Sequence, residues 1–298
     1  MSDAAVSMTY EAFSAEPEYV EANRTFVREL DFEGVGRLLD LACGTALMSD
    51  LILEGRRDLD VVALDLAREQ LELARARFRK KGLFTENGRK AGANLPAFLL
   101  VEGSADTLPF TADTFDAVVM GHAIHNLPDP DRLLLEIRRV LRPGGRFAFN
   151  SAFYAGTYVP GTEKFHTAWM RHALEHVMAR DRELRAQGLP GVTRKRGTAR
   201  PAFSRRWPSP TDWKEVLERN GFGVERTQER VLEMTQRNFE TVGSYGGLAS
   251  VLLSGYPVDL ACEALQRSVA PALSEVGMHT VAQRWLEVVA SRPGREGI

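Results

Sequence analysis

Short apolar runs alternate with segments of helical spacing in the first half of this chain. RLLDLA (37–42) is followed by the helical LMSDLILEG, and DVVALD (60–65) is followed by LAREQLELARARFRKK (66–81). Three further apolar runs continue the pattern: AFLLVEG (97–103), FDAVVMG (115–121) and RFAFNSA (146–152). Strands that alternate with helices join through right-handed crossovers into a parallel sheet that is covered on both faces. The pattern therefore predicts an α/β doubly wound, Rossmann-like fold.

The second half of the chain has a more helical pattern. Residues 163–188 are its strongest helical segment, and TDWKEVLERNGF (211–222) predicts another helix. GVERTQERVLEMTQ (223–236) predicts an antiparallel hairpin at the sheet edge, and residues 238–290 predict further helices. The run Arg142-Pro143-Gly144-Gly145 predicts a sharp turn before the fifth strand. We therefore expect a seven-stranded, mostly parallel sheet with an antiparallel edge hairpin, plus a helical cap and C-terminal helices.

Composition and charge exclude several classes of protein. Of the 298 residues, 44% are apolar and 26% are charged, which is ordinary for a folded soluble protein. A formal net charge of −2 gives no global attraction to nucleic acid or to an anionic membrane. No stretch approaches about 18 uninterrupted apolar residues, so we expect no membrane insertion. Cys43 and Cys262 are too few for a disulfide scaffold, and we expect a cytoplasmic protein.

Two features predict a ligand at the carboxyl ends of the first strands, where open α/β sheets bind their ligands. The first strand carries Asp40 and runs through a turn of small residues, 42–46, into a helix. Small side chains let the backbone approach a ligand, and a helix N-terminus offers free N–H groups. Asp65 ends the second strand, and its oxygens can accept both hydroxyls of a ribose. The G-x-G-x-x-G pattern of dinucleotide-binding enzymes is absent, which disfavours a nicotinamide oxidoreductase.

Five segments, in this order, resemble the motifs of class I S-adenosylmethionine (SAM)-dependent methyltransferases: LDLACGTA, VVALD, VEGSADTLPF, FDAVVMGHAIHNLPD and RVLRPGGRF. The likeness is strongest to the branch that includes the ubiquinone and menaquinone biosynthesis methyltransferases (methyltransferase type 11). It covers residues 35–152, with weaker similarity to about residue 236. The resemblance implies SAM as the cofactor and methyl transfer as the reaction.

The same resemblance implies where SAM would lie. The methionine part would rest on the turn that follows Asp40, and the ribose hydroxyls would bind Asp65. The adenine would lie between Leu66 and the segment after the third strand, and the methyl-donor end would face His122. The implied cofactor-binding residues are Asp40, Ala42, Gly44, Asp65, Leu66, Ser104, Ala105, Asp106, Gly121 and His122.

Three residues depart from the family pattern. The family often has Gly where this chain has Ala42 and Ala46, and Asp where it has Ser104. Alanine replaces glycine at little cost where φ is negative, so we expect these two changes only to narrow the turn. A hydroxyl accepts the adenine amino proton less strongly than a carboxylate does, and we expect Asp106 to take part of that role.

Methyl transfer from a sulfonium is an in-line displacement, so alignment and desolvation can supply most of the acceleration. An acceptor that must lose a proton also needs a base, and histidine is the usual base near pH 7. His125 and His122 follow the fourth strand and are the candidate catalytic bases. The alternative is that His122 is a wall residue of the site and that His125 caps a helix or packs.

Two further patterns carry weaker signals. His172 and His176 stand at i, i+4, which is the spacing of two metal ligands on a helix, but no third ligand is evident and we predict no metal site. Residues 193–206 carry six basic residues and no acid. Such a run predicts a solvated loop, or alternatively a latch for an anionic substrate.

The sequence therefore predicts a SAM-dependent methyltransferase that moves a methyl group to carbon or oxygen of a small, largely apolar acceptor. The alternative is a SAM-binding protein in which the cofactor is structural or sensed. Tyr10, Phe13 and Tyr19 predict an aromatic lid over the sulfonium, although packing of the lead-in helix explains them equally well. The predicted domains are N-terminal lead-in or lid helices (1–34), a SAM-binding core (35–152 and 207–237) and a helical substrate cap (153–206 and 238–298). We expect no nucleic-acid partner.

Overall fold

The computed structural model describes residues 11–83, 98–195 and 207–294. These residues form two compact units. The sheet unit comprises 21–83, 98–155, 207–230 and 285–294, and the helical unit comprises 11–20, 156–195 and 231–284. No helix within these described ranges is long and apolar enough to cross a membrane.

Seven strands in the described part of the chain form one sheet, in the order β3-β2-β1-β4-β5-β7-β6. The strands are β1 (Arg37–Leu41), β2 (Asp60–Asp65), β3 (Phe98–Glu102), β4 (Phe115–Gly121), β5 (Leu141–Ser151), β6 (Gly223–Thr235) and β7 (Thr280–Ser291). Strands β1 to β5 pair in parallel, and β7 runs antiparallel to β5. The strand order reverses between β1 and β4, so the ligand crevice of a doubly wound sheet is expected at their carboxyl ends. The predicted fold class is confirmed.

The described helices follow apolar periodicity, and some of them begin with a side-chain cap. They are α1 (Glu11–Ser14), α2 (Pro17–Arg28), α3 (Leu47–Gly55), α4 (Arg68–Lys80), α5 (Pro130–Val140), α6 (Glu163–Ala186), α7 (Pro210–Arg219), α8 (Gln236–Gly243), α9 (Gly246–Leu252), α10 (Val258–Arg267) and α11 (Val269–Val276). In α5, Leu133, Ile137 and Val140 lie on one buried face. Helix α7 begins with a capping box, in which Ser209 and Asp212 each accept the other's backbone N–H.

The core of the sheet unit lies on both faces of its parallel strands. Leu38 and Leu39 of β1, and Val118 and Val119 of β4, are buried. Because consecutive side chains of a strand point to opposite faces, buried neighbours along β1 and β4 mean that both faces are covered. Phe78 of α4 stacks on Phe98 of β3, with ring centroids 4.0 Å apart. This packing fixes the strands whose carboxyl ends carry the predicted site.

The antiparallel hairpin predicted for residues 223–236 does not form within that segment. Residues 223–235 form one continuous strand, β6, because the segment contains no Gly, Pro or Asn pair that could make a tight turn after Gly223. Its sheet neighbour is β7, which lies in a segment that the sequence predicts to be helical. Residues 285–290 of β7 are all buried. An apolar run that is buried on both faces lacks the alternation that would distinguish a strand from a buried helix.

The turn predicted at Arg142 to Gly145 is incorporated into a strand. β5 begins at Leu141, directly after α5, and Leu141 pairs with Phe115 before the register shifts. Gly144 has φ +81°, a conformation that favours glycine. The proline and glycines therefore produce an irregularity at the start of β5.

The helical unit has its own aromatic core. Trp169 of α6 is buried, and its Nε1 donates to the backbone carbonyl of Leu265 in α10 at 2.7 Å. Phe239 of α8 packs on Phe165 and on Trp169, with ring centroids 4.7 and 5.4 Å apart. The helix predicted over 163–188 is α6.

Candidate functional site

The turn after β1 is conformationally strained. Ala42, Gly44 and Ala46 all have positive φ, at +53°, +53° and +59°. The expectation that the two alanines have negative φ is therefore wrong. Because the left-handed region costs an L-residue roughly 1–2 kcal/mol, each alanine strains the backbone of the turn. A side chain built at Gly44 would contact nothing within 4 Å in the described structure, so open space lies beside its Cα. The turn therefore presents backbone directly to that space.

Asp40 is fully buried at the end of β1. Its Oδ2 accepts hydrogen bonds from the Ser49 backbone N–H at 3.0 Å and from the Ser49 hydroxyl at 2.6 Å. Its Oδ1 is buried and has no hydrogen-bond partner among the described residues. Desolvation, reinforced by the charge of Asp65 and opposed by the Ser49 hydrogen bonds, raises the pKa of Asp40 to about 6. The carboxylate thus keeps one acceptor oxygen unused.

Asp65 joins the turns that follow β1 and β2. Its Oδ2 accepts the backbone N–H of Gly44 at 2.7 Å, and its Oδ1 accepts the N–H of Ala67 at 2.8 Å. A carboxylate has about four acceptor positions, so roughly two are left for a ligand. Leu66, the next residue, is 72% exposed, which leaves the surface of its side chain available to a flat ring.

A second unused carboxylate oxygen lies in the turn after β3. The Ser104 hydroxyl accepts the backbone N–H of Asp106 at 3.2 Å. Asp106 Oδ1 is buried and accepts no hydrogen bond within the described ranges. Ala105, between them, is buried. The Ser104 oxygen thus already accepts one hydrogen bond within the turn, whereas Asp106 Oδ1 accepts none.

The end of β4 is held by a buried pair of asparagines. His122 has φ +48°, and its backbone N–H lies 3.1 Å from the Asn150 carbonyl oxygen and 3.0 Å from Asn150 Oδ1. Asn150 Nδ2 donates to Asn23 Oδ1 of α2 at 2.8 Å. Gly121, just before the histidine, has no room for a side chain, because a Cβ there would lie 2.7 Å from Met48 Cγ.

The two candidate bases are half-buried among aromatic side chains. The His122 ring lies 4.2 Å from the Trp285 ring, and the His125 ring lies 4.2 Å from the Phe153 ring. Desolvation, with a smaller contribution from His125, lowers the pKa of His122 to about 3. Desolvation also lowers the pKa of His125 to about 3. Both rings are therefore neutral and only weakly basic at pH 7, and their assignment as catalytic bases stays a prediction.

Several residues of this edge carry no motif and were not predicted from the sequence. Asn150 and Ser151 end β5, Phe153 follows it, and the Phe153 ring lies 5.6 Å from the Trp207 ring. Trp285 reaches the site from β7. The only available sequence signal was the position of Asn150 and Ser151 at the end of a predicted strand.

The donor and acceptor chemistry of this edge fits SAM. The cofactor carries an ammonium group, two ribose hydroxyls and an adenine amino group, all of which donate hydrogen bonds. Asp40, Asp65 and Asp106 stand at the ends of, or just after, the neighbouring strands β1, β2 and β3. Two of these carboxylates hold a buried oxygen with no hydrogen-bond partner in the described chain. Buried acceptors of this kind are destabilising unless a donor reaches them.

The predicted aromatic lid is only partly described. Phe13 and Tyr19 belong to the helical unit, are buried, and pack edge to face with ring centroids 5.1 Å apart. Tyr10 lies outside the described residues. The role of these side chains as a lid stays a prediction.

The remaining polar patterns engage local partners. His172 Nε2 lies 2.8 Å from a carboxylate oxygen of Glu275, and His176 Nε2 lies 3.7 Å from one of Glu263. The described residues contain no group of three side chains arranged to hold a metal ion. In the basic run, the Lys195 backbone N–H donates to the Gly255 carbonyl at 2.8 Å, and residues 196–206 lie outside the described structure.

Comparisons with known proteins agree with this geometry. A family model described as a methyltransferase domain matches residues 39–149. The ubiquinone/menaquinone biosynthesis C-methyltransferase UbiE of Brucella anthropi is 30% identical over 217 residues, which cover 72% of this chain and 68% of that protein. The demethylmenaquinone methyltransferase of Symbiobacterium thermophilum is 36% identical over 126 residues, which cover 42% of this chain and 46% of the relative. In several of the relatives that the chain matches, the matched region spans only about half of the relative's length.

Solved structures share the fold at low sequence identity. A protein described as a putative sarcosine dimethylglycine methyltransferase from Galdieria sulphuraria matches with a TM-score of 0.54 and 14% identity, over 92% of this chain and 86% of that one. The [4+2]-cyclase SpnF matches with a TM-score of 0.52 and 17% identity, over 93% and 82% of the two chains. At such identities the likeness shows the fold alone.

Proposed function

We propose that this chain transfers the methyl group of SAM to carbon or oxygen of a small, largely apolar acceptor. The premise is that the chain belongs to the class I SAM-dependent methyltransferases of the UbiE type. The observation that carries the proposal is the row of three carboxylates at the ends of β1, β2 and β3. Two of the three hold an acceptor oxygen without a hydrogen-bond partner in the described chain.

Each carboxylate would bind a different part of the cofactor. Asp40 Oδ1 would accept a hydrogen bond from the ammonium group, and the free acceptor positions of Asp65 would accept hydrogen bonds from the ribose hydroxyls. Asp106 Oδ1 would accept a hydrogen bond from the adenine amino group, because it is buried without a donor in the described chain and a carboxylate is a stronger acceptor than the Ser104 hydroxyl. The exposed face of Leu66 would cover the adenine ring.

The side chains at the end of β4 would align the acceptor with the methyl group. SAM supplies an electrophilic methyl group on a sulfonium. His122 and His125 are desolvated, and both rings are neutral imidazoles and not charged imidazoliums. They would shape the site and exclude water from it. We assign SAM binding to residues 35–152 and 207–237, and acceptor recognition to residues 153–206 and 238–279, since residues 280–291 form β7 of the sheet. The proposed compartment is the cytoplasm, since Cys43 and Cys262 are free thiols.

Isothermal titration with SAM and with its demethylated product tests the cofactor site. We expect binding by the intact protein and its loss in Asp65→Ala, which removes the bridge between the turns after β1 and β2. Asp60→Ala is the matched control, because Asp60 is the same residue type at the opposite end of the same strand. Absence of binding by the intact protein, or equal binding by the two variants, contradicts the proposal.

Transfer of a labelled methyl group tests the reaction. The intact protein is incubated with SAM that carries a labelled methyl, together with small phenols, enols and carboxylic acids, and the organic extract is counted. Label that appears in the extract with the intact protein and not with Asp65→Ala supports a methyltransferase. Tight SAM binding without transfer to any acceptor favours the alternative, a SAM-binding protein that does not methylate.

A further inference from the structure

The Ser151 hydroxyl lies buried at the end of β5, beside the His125 ring. Its oxygen accepts the Phe153 backbone N–H at 3.0 Å. The hydroxyl oxygen lies 3.3 Å from His125 Nδ1, a contact whose direction depends on the tautomer of the ring, and 3.5 Å from the Phe153 carbonyl oxygen. A separation of 3.5 Å is at the outer limit of a hydrogen bond, so the shorter contact to the imidazole is favoured.

The direction of this hydrogen bond decides the tautomer of His125. A neutral imidazole has one nitrogen that donates and one that accepts. If Nδ1 accepts the Ser151 proton, then Nε2 carries the ring proton. The Phe153 ring, 4.2 Å away and tilted by 38°, packs against the imidazole and restricts its rotation. The ring would thus present an N–H group at Nε2.

We propose that Ser151 is a positioning residue that fixes His125 as the Nε2–H tautomer, which makes His125 a hydrogen-bond donor toward an oxygen of the methyl acceptor and not its general base. A donor at this position favours the ionised form of a hydroxyl on the acceptor, because hydrogen bonding to a charged form stabilises it. The hydroxyl proton would pass to solvent before transfer, and the acceptor would then form its new bond to the methyl carbon as the sulfur–methyl bond breaks and the demethylated cofactor is released. The acceptor would therefore carry an oxygen at or beside the atom that is methylated. This role rests on the proposed function, since it concerns the methyl acceptor of that same site.

The low basicity of His125 agrees with a donor role. Desolvation lowers the pKa of this imidazole to about 3, so it is neutral at physiological pH and is a poor proton acceptor. The neighbouring titratable ring, His122, is also neutral, because desolvation lowers its pKa to about 3 as well. Because both rings are neutral, the tautomer of His125 is set by its hydrogen bonds and not by a neighbouring charged histidine.

Nitrogen-15 spectra of the histidine rings test the tautomer directly. The chain has six histidines, so the His125 signals are assigned by their absence in His125→Gln. At pH 7 we expect protonated Nε2 and bare Nδ1 in the intact protein. Ser151→Thr, which keeps the hydroxyl, should preserve this state, and Ser151→Ala should shift it toward a mixture. A proton on Nδ1 in the intact protein overturns the proposal, even if Ser151→Ala does not fold.

Methyl transfer distinguishes a donor from a base. In the labelled-methyl assay, His125→Gln keeps an N–H donor but offers no base, whereas His125→Leu offers neither. We expect His125→Leu to lose about tenfold or more relative to His125→Gln, as is typical for loss of one hydrogen bond to a charged group. Equal loss in both variants contradicts the donor role. Titration with SAM separates the two levels, because failure of SAM binding refutes the proposed function, whereas a wrong ring spectrum refutes only the role of Ser151.

Discussion

Replacing Asp40 with asparagine should stabilise the ligand-free protein and weaken SAM binding. The carboxylate is fully buried, and desolvation raises its pKa from 3.8 to about 6. Since one pKa unit corresponds to about 1.4 kcal/mol, the ionised carboxylate destabilises the folded state by about 3 kcal/mol at pH 7.5. Asparagine keeps an oxygen that can accept both Ser49 hydrogen bonds and removes the charge.

The size of the gain depends on the new amide as well as on the lost charge. An amide N–H left without an acceptor costs about 1–3 kcal/mol, although the carboxylate oxygen that it replaces also lacks a partner in the described chain. We therefore expect the free energy of unfolding to rise by about 1–3 kcal/mol at pH 7.5. The folded-state pKa is raised, so the cost of the charge is complete above about pH 6 and disappears as the pH falls toward 3.8. The gain at pH 5 should be about 1.5 kcal/mol smaller than at pH 7.5.

Urea unfolding without ligand at pH 7.5 and pH 5, together with titration with SAM, measures both effects. A lost hydrogen bond between ions should weaken SAM binding about 10- to 100-fold. Asp50→Asn is the control, because Asp50 lies on α3 nearby but pairs with Lys81 Nζ at 2.6 Å. It should show neither a gain in stability nor a loss of affinity. The reasoning is refuted if Asp40→Asn is less stable than the intact protein at pH 7.5, or if it binds SAM equally well.

Two further perturbations follow from the same edge of the sheet. Gly121→Ala places a Cβ 2.7 Å from Met48 Cγ, so the free energy of unfolding measured in urea should fall by about 1–3 kcal/mol. Adding Met48→Ala should restore part of that free energy. An unchanged unfolding midpoint in Gly121→Ala contradicts the clash. Stability should also fall as the pH drops from about 6.5 toward 3, because desolvation lowers the folded-state pKa of His122 and His125 to about 3, so the unfolded chain binds more protons across that window. This loss should exceed the opposing gain from protonation of Asp40. Replacing both histidines with glutamine should leave the contribution of Asp40, so that the stability measured in urea no longer falls from pH 7 to pH 5 but rises slightly. An intact protein that is equally stable at pH 7 and pH 5 refutes the assignment to the histidines.

The sequence predicted the parallel strands and the acidic residues at their ends because both depend on local patterns. Alternation of apolar runs and helices places Asp65 at a strand end without knowledge of any distant contact. The pairing of β7 with β5 joins residues more than a hundred positions apart, and no local pattern encodes it. The contact between Ser151, at the end of β5, and His125, in a short 3-10 helix after β4, likewise depends on segments that meet only in the folded chain.

Conformational strain and buried charge are concentrated where the ligand would bind. Of the non-glycine residues with positive φ in the described chain, Ala42 and Ala46 follow β1, and His122 follows β4. Each such conformation costs roughly 1–2 kcal/mol and persists only where surrounding contacts enforce it, as Asn150 does for the His122 backbone. The buried charge of Asp40 adds a destabilising contribution of similar size at the same edge. A ligand that places a cation beside Asp40 removes the destabilising free energy of its buried charge, and such a ligand therefore stabilises the folded state. The features that weaken this edge without a ligand are thus those that favour a cofactor with an ammonium group.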